Sequence, residues 1–156
     1  MRFEFLKNRG FTLLEIIVVM MMFAIIVGGL FAYSRDTLVS TQFHTVVYEI
    51  KHSLLTSENY SRANYLNVRS GMSFDDNFYT VFFADTYSSI DTANIATELP
   101  STIYFSEASF GGDSILYFSK FTGIPDSTGT ITINDYSGRQ ASISIDTEGV
   151  IDITYN

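Results

Sequence analysis

Three patterns of apolar and polar positions follow one another along the chain. From Phe11 to Tyr33 the sequence FTLLEIIVVMMMFAIIVGGLFAY is apolar on every side, interrupted by one charge, Glu15, and one other polar residue, Thr12. A helix of that length measures about 35 Å at roughly 1.5 Å per residue, and a bilayer core is about 30 Å thick. Residues 11–33 are therefore expected to form the membrane-spanning half of a helix. Polar residues enter at Ser34, Arg35 and Asp36, yet Val39, Phe43, Val46, Val47, Ile50 and Leu54 still recur every three or four positions. Glu49, Lys51, Glu58 and Arg62 fall off that stripe. Residues 34–64 thus continue as an amphipathic half. The stripe fades at Asn59, Ser61 and Asn64, and residues 67–71 mark the exit. A continuous helix from Phe11 to about Ala63 would be on the order of 80 Å long.

The third pattern, over residues 65–156, is that of β structure. Phe78–Ala84 reads as an aromatic-rich strand, residues 85–101 as a polar irregular loop, and Thr102–Phe105 and Ile115–Phe118 as short strands around Gly111-Gly112-Asp113. After Gly129 the alternation is strict. Ile131 and Ile133, Ile143 and Ile145, and Ile151 and Ile153 fall on one face of a meander that turns at residues 134–138 and 146–149. The fold class expected is α+β: a long N-terminal helix packed on an antiparallel β-sheet head.

Composition narrows the function. The 156 residues are 46% hydrophobic and 17% charged, which excludes disorder as the main state. The formal net charge is −8, with 9 Lys and Arg, so the chain is a poor general nucleic-acid binder and no nucleic-acid partner is expected. Cysteine is absent, which excludes disulfides, thiolate metal sites and cysteine nucleophiles.

The N-terminal ten residues, MRFEFLKNRG, set Arg2, Lys7 and Arg9 against Glu4. A basic flank before an apolar run keeps the N-terminus cytoplasmic. A secretory signal peptide would need a shorter apolar run and a small-x-small cleavage site, and residues 33–36 offer none. A plain signal anchor leaves Glu15 without a purpose, because intramembrane carboxylates are usually paired or functional.

The stretch Lys7-Asn8-Arg9-Gly10-Phe11-Thr12-Leu13-Leu14-Glu15, followed by the apolar run, closely resembles the processing signal of type IV prepilins. The resemblance covers residues 7–33. It implies a leader, residues 1–10, that a membrane-embedded aspartyl prepilin peptidase removes by cutting between Gly10 and Phe11. Gly10 suits that cut because a backbone without Cβ can be approached closely. The resemblance further implies N-methylation of the new Phe11 amine. Glu15 lies four residues on, within reach of its own Phe11 amine or that of a neighbouring subunit. In the family the intersubunit pair sets assembly register. Loss of the leader's net +2 would take the side-chain charge from −8 to −10. One departure is that no proline kinks the outer end of the span, where Gly28-Gly29 stands instead.

A weaker resemblance lies in the tail. Ile115-Leu116-Tyr117-Phe118, Gly123, Gly129–Ile133 and Ile143-Ser144-Ile145 before Gly149 look like the heads of H-type minor pseudopilins and FimT-like minor pilins. Some FimT-like pilins bind DNA through basic residues here. Beyond Lys120 this tail holds Arg139 alone, with Val150 after the last glycine, so DNA binding is not carried over.

No catalytic constellation is present, and no cofactor is expected. His44 and His52 sit eight apart on the helix and read as solvated residues. Asp75-Asp76-Asn77 and Gly111-Gly112-Asp113 could offer calcium oxygens, but they read first as turns. The expectation is a minor pilin or pseudopilin with no chemistry of its own. It would be a single-pass inner-membrane precursor, later part of a type II secretion pseudopilus or a type IV pilus. Its partners would be prepilin peptidase, other pilins or pseudopilins, and an assembly-platform membrane protein. The alternative is an anchored extracytoplasmic β domain that binds a partner and never polymerises.

Overall fold

A computed structural model describes residues 11–156, the side chains of residues 30–39 excepted. Helix α1 runs Leu13–Arg62 and a 3-10 turn Tyr65–Asn67 follows it. Eight strands come next among the described residues: β1 (Ser70–Asp75), β2 (Phe78–Phe83), β3 (Ile95–Glu98), β4 (Ile103–Phe110), β5 (Ile115–Phe118), β6 (Gly129–Asp135), β7 (Gln140–Ile145) and β8 (Ile151–Tyr155). The chain divides into two compact units, Met1–Thr41 and Gln42–Asn156.

In the first unit α1 carries helix-forming Leu and Met among β-branched Ile and Val, whose lower propensity matters little in an unbroken run. Its large apolar side chains from Leu13 to Ile26 are all exposed, between 47% for Val18 and 80% for Leu13.

In the second unit the end of α1 and two antiparallel sheets share one core. The sheet orders are β3-β2-β1-β5 and β4-β6-β7-β8. Phe43, Val46, Val47, Ile50 and Leu54 are all buried on the helix, so the described part of the expected stripe is the buried face. Met72, Phe74, Tyr79, Val81, Leu116 and Phe118 meet it from the first sheet. Ile131, Ile133, Ile143, Ile145 and Ile151 meet it from the second, with Ile153 partly buried at the margin. The meander pairs as its alternation requires, Ile131 opposite Ile143 and Ile143 opposite Ile153. Both hairpins turn on an aspartate. Asp135 Oδ1 accepts the N–H groups of Ser137 and Arg139, and Asp146 Oδ1 those of Glu148 and Val150.

The structure corrects several expectations. The helix starts at Leu13, two residues later than expected. The α+β class and the antiparallel head are as expected, and the head is divided into two four-stranded sheets. Strand β1, which was not expected, begins at Ser70 within the expected exit 67–71, β3 lies inside the expected loop 85–101, and β4 continues beyond Phe105 to Phe110 through a register shift at Ser106. The buried face does not fade at Ser61. It changes character there, because Ser57 and Ser61 are fully buried and bond β1 through Ser70.

Candidate functional site: the start of the apolar helix

The site begins where the helix begins. Thr12 stands just outside α1. Its hydroxyl accepts the Glu15 N–H at 3.2 Å, and its carbonyl accepts Glu15 N at 3.1 Å and Ile16 N at 3.3 Å. Thr12 is therefore the N-cap, and Glu15, the third helical residue, gives its backbone N–H to that cap. Phe11, 77% exposed, precedes the cap. Phe11 and Ile16 line one shallow depression together with Glu15, Val19 and Met20. Glu15 sits in that first turn, where the unsatisfied N–H groups concentrate partial positive charge and favour a carboxylate.

Chemically, this end presents an apolar residue outside the helix and a carboxylate one turn inside it, at the mouth of a run whose described large apolar side chains are exposed. Phe11 and Glu15 border the same depression, as their spacing requires. Gly10 and the rest of the expected leader lie outside the described residues. The cap role of Thr12 was not part of the sequence expectation, although the Thr-x-x-Glu spacing was the signal for it. The expected span 11–33 has described side chains only as far as Gly29. Among the described residues no helix is long and apolar enough to cross a membrane.

His44 and His52 are both exposed on α1. His44 stacks edge-on against Tyr155 of β8, ring centroids 4.6 Å apart. His52 lines an open groove with Thr45, Tyr48, Glu49, Ser53, Tyr79 and Thr97, which does not include His44. Burial and the neighbouring Tyr48 hydroxyl raise the Tyr155 pKa above the usual tyrosine value. Asp75 and Asp76 border a shallow depression with Glu107 and Ser114. Among the described residues no group of three metal-ligating side chains comes together.

Polar chemistry on the head gathers at the far end of α1. Arg69 bonds Asp126 at 2.6 Å and the Asp85 carbonyl at 2.7 Å, and its guanidinium lies 4.2 Å from the centre of the Tyr117 ring. Lys120 reaches Asp85 at 3.2 Å. The Arg69 backbone N–H first, and the Lys120 ammonium second, hold the Asp85 carboxyl below its usual value. These pairs are satisfied within the head and tie the loop after β2 to that after β5.

Residues 6–31 match the family described as the prokaryotic N-terminal methylation motif. No curated protein matches the chain, and no solved structure does. The match takes in the whole capped start of the helix, from the expected cleavage position through Glu15 and on to Phe31. The chain therefore carries the type IV prepilin-like signal within residues 6–31, the signal of pilin-like proteins that prepilin peptidase processes and that work with other pilins.

Proposed function

We propose that this chain is a minor pilin or pseudopilin: a subunit of a type II secretion pseudopilus, or of a type IV pilus, that does no chemistry itself. The observation that carries the reading is the uncovered apolar helix. Every large apolar side chain from Leu13 to Ile26 is exposed around the full circumference, and such a surface needs lipid or other helices over it. A filament precursor needs both in turn, lipid before assembly and neighbouring helices after it. In this reading the span holds the precursor in the inner membrane, N-terminus cytoplasmic, head outside. Prepilin peptidase cuts between Gly10 and Phe11, and Phe11 is N-methylated. The freed amine then lies beside the positive end of the helix dipole, an unfavourable place for a cation. Glu15 offsets that cost, either for its own chain or for the subunit beside it. At a low-dielectric boundary the intersubunit pair is worth more than an exposed ion pair, and it fixes the axial register of neighbouring helices. The spacing of Gly123, Gly129 and Gly149 in the head favours the H-type pseudopilin over a pilus subunit.

The test is incorporation. The chain is expressed in a bacterium that supplies prepilin peptidase and an assembling pilus or pseudopilus, and filaments are sheared from the cells and probed for it. The wild-type chain is expected in the sheared fraction, and Glu15→Ala is expected to be processed yet retained in the membrane. A wild-type chain that is cut but never leaves the membrane, or a Glu15→Ala chain that incorporates normally, would overturn the filament or the register reading respectively.

A further inference from the structure

The second sheet turns its isoleucines to the core and a different chemistry outward. Residues directly opposite on neighbouring strands share a face, and side chains alternate along each strand. Thr130, Thr132 and Asn134 of β6, with Gln140, Ser142 and Ser144 of β7, therefore point away from the core. None of these is charged, on a chain of formal net charge −8. Glu107 and Asp152 stand at the margins of the face, on the edge strands β4 and β8.

The face ends in a built corner. Tyr104, Asn134 and Gln140 form one row across β4, β6 and β7, and with Asp135, Gly138 and Arg139 they line a depression of about 240 Å³. Beside it Tyr136 is 77% exposed, its ring 5.3 Å from that of Tyr104. Backbone bonds hold Tyr136 in place. Its N–H donates to the Thr102 carbonyl at 3.2 Å, and the next N–H, of Ser137, donates to Asp135 Oδ1 at 2.8 Å. An aromatic pair fixed in this way loses little freedom on binding. In the depression Asn134 Oδ1 is buried and accepts no hydrogen bond. Such an orphaned acceptor costs free energy, and the soft χ2 of asparagine lets it turn toward a donor. Arg139, 3.4 Å from the buried Asp135 carboxylate, adds a planar set of donors.

Amides, a guanidinium and hydroxyls beside a stacked aromatic pair complement a sugar chain. The C–H face of a pyranose packs on an aromatic ring, and its hydroxyls both give and accept hydrogen bonds. We propose that this corner of the second sheet binds a neutral polysaccharide, with one sugar unit in the depression against Tyr104 and Tyr136 and the next units over the hydroxyl face. The depression is smaller than the about 300–1,000 Å³ of pockets that enclose a whole small ligand, which suits one unit of a longer chain. The acidic chain repels a polyanionic glycan. The site stands on the head alone and is independent of the filament reading.

The experiment is saturation-transfer NMR of the full-length chain in a detergent without a sugar headgroup. Cellohexaose and chitohexaose are the neutral probes, and hexagalacturonate is the acidic one. At least one neutral probe is expected to bind saturably in the millimolar range, and hexagalacturonate is not. Tyr136→Ala is expected to weaken binding about three- to tenfold, the worth of one aromatic contact, and Tyr136→Phe to retain it. The decisive variant is Asn134→Ala. Removing an orphaned acceptor is expected to leave Tm unchanged or raised while binding weakens, whereas a residue with a structural role would lose Tm. The proposal is overturned if neither neutral probe binds, if Tyr136→Ala binds like wild type, if Asn134→Ala binds like wild type or loses binding and Tm together, or if hexagalacturonate binds as well as the neutral probes.

Discussion

The union of α1 with the head depends on three buried serines, and Ser61→Ala tests how strongly. Ser61 Oγ accepts the Ser70 N–H at 2.8 Å, pairs with the Ser70 hydroxyl at 2.9 Å and donates to the Phe118 carbonyl at 3.0 Å. Ser61 and Ser70 are no more than 1% exposed, so water does not replace a lost partner. Alanine at 61 removes the hydroxyl that accepts the Ser70 N–H and that donates to the Phe118 carbonyl. An unsatisfied buried group costs about 1–3 kcal/mol, which puts the whole change at about 2–3 kcal/mol. Ser57→Ala is the internal control. Its hydroxyl makes one 3.1 Å bond to Ser70, and the Ser70 hydroxyl keeps the Ser57 carbonyl as an acceptor, so the expected loss is about 1 kcal/mol or less. At about 2–4 °C per kcal/mol, Ser61→Ala should lower Tm by roughly 4–12 °C. The assay is thermal unfolding of the full chain in detergent, followed by near-ultraviolet circular dichroism of its 10 tyrosines. Ser61→Ala and Ser70→Ala should couple by more than about 0.5 kcal/mol in a double-mutant cycle. Equal losses for Ser57→Ala and Ser61→Ala, with additive behaviour at Ser70, would refute the account of this network.

Two further outcomes follow from the head. Gly123→Ala should destabilise by about 1–3 kcal/mol, since φ is +69° and a Cβ would lie 2.6 Å from Arg62 Cγ and 3.0 Å from Glu58 Cγ. Gly112→Ala, at positive φ but with open space around it, should cost less in the same denaturant titration. The depressed Asp85 pKa makes a stabilising contribution that is present above the usual aspartate value and is lost as pH falls through the folded value. A Tm–pH profile should therefore decline less in the acid range for Lys120→Ala than for the wild type, and superimposable profiles would refute the role given to Lys120.

The legible parts of this chain are those whose cause is local. The meander β6-β7-β8 could be read because isoleucines alternate on one face and aspartates open both hairpins. The helix stripe could be read because its apolar spacing is sustained from Phe43 to Leu54. The segments that escaped depend on distant partners. Strand β1, Ser-Gly-Met-Ser-Phe-Asp, has little strand propensity. It forms because Ser70 bonds two helix serines and because Gly71, lacking a Cβ, admits the buried Phe82 ring and the Leu116 carbonyl. Strand β3 is a largely exposed edge of four residues, so no burial pattern announces it. Ser61 looked like the fading of an apolar stripe because hydroxyls say nothing in sequence about the partners that bury them. At the helix start the motif was visible and the mechanics were not. In sequence Thr12 and Glu15 stand out as polar residues in an apolar run, and the bond between them depends on the backbone geometry of the helix start.

The central claim is that the segment before Phe11 is removed and that the mature chain begins at the capped helix. Its most direct test is the intact mass and N-terminal sequence of the chain recovered after co-expression with a prepilin peptidase, beside Gly10→Val as the uncut control. The account predicts loss of Met1–Gly10, an N-terminus at Phe11 with the added mass of one methyl group, and no cleavage of the control. A chain of full mass, or one cut after the apolar run near Ser34, would contradict it.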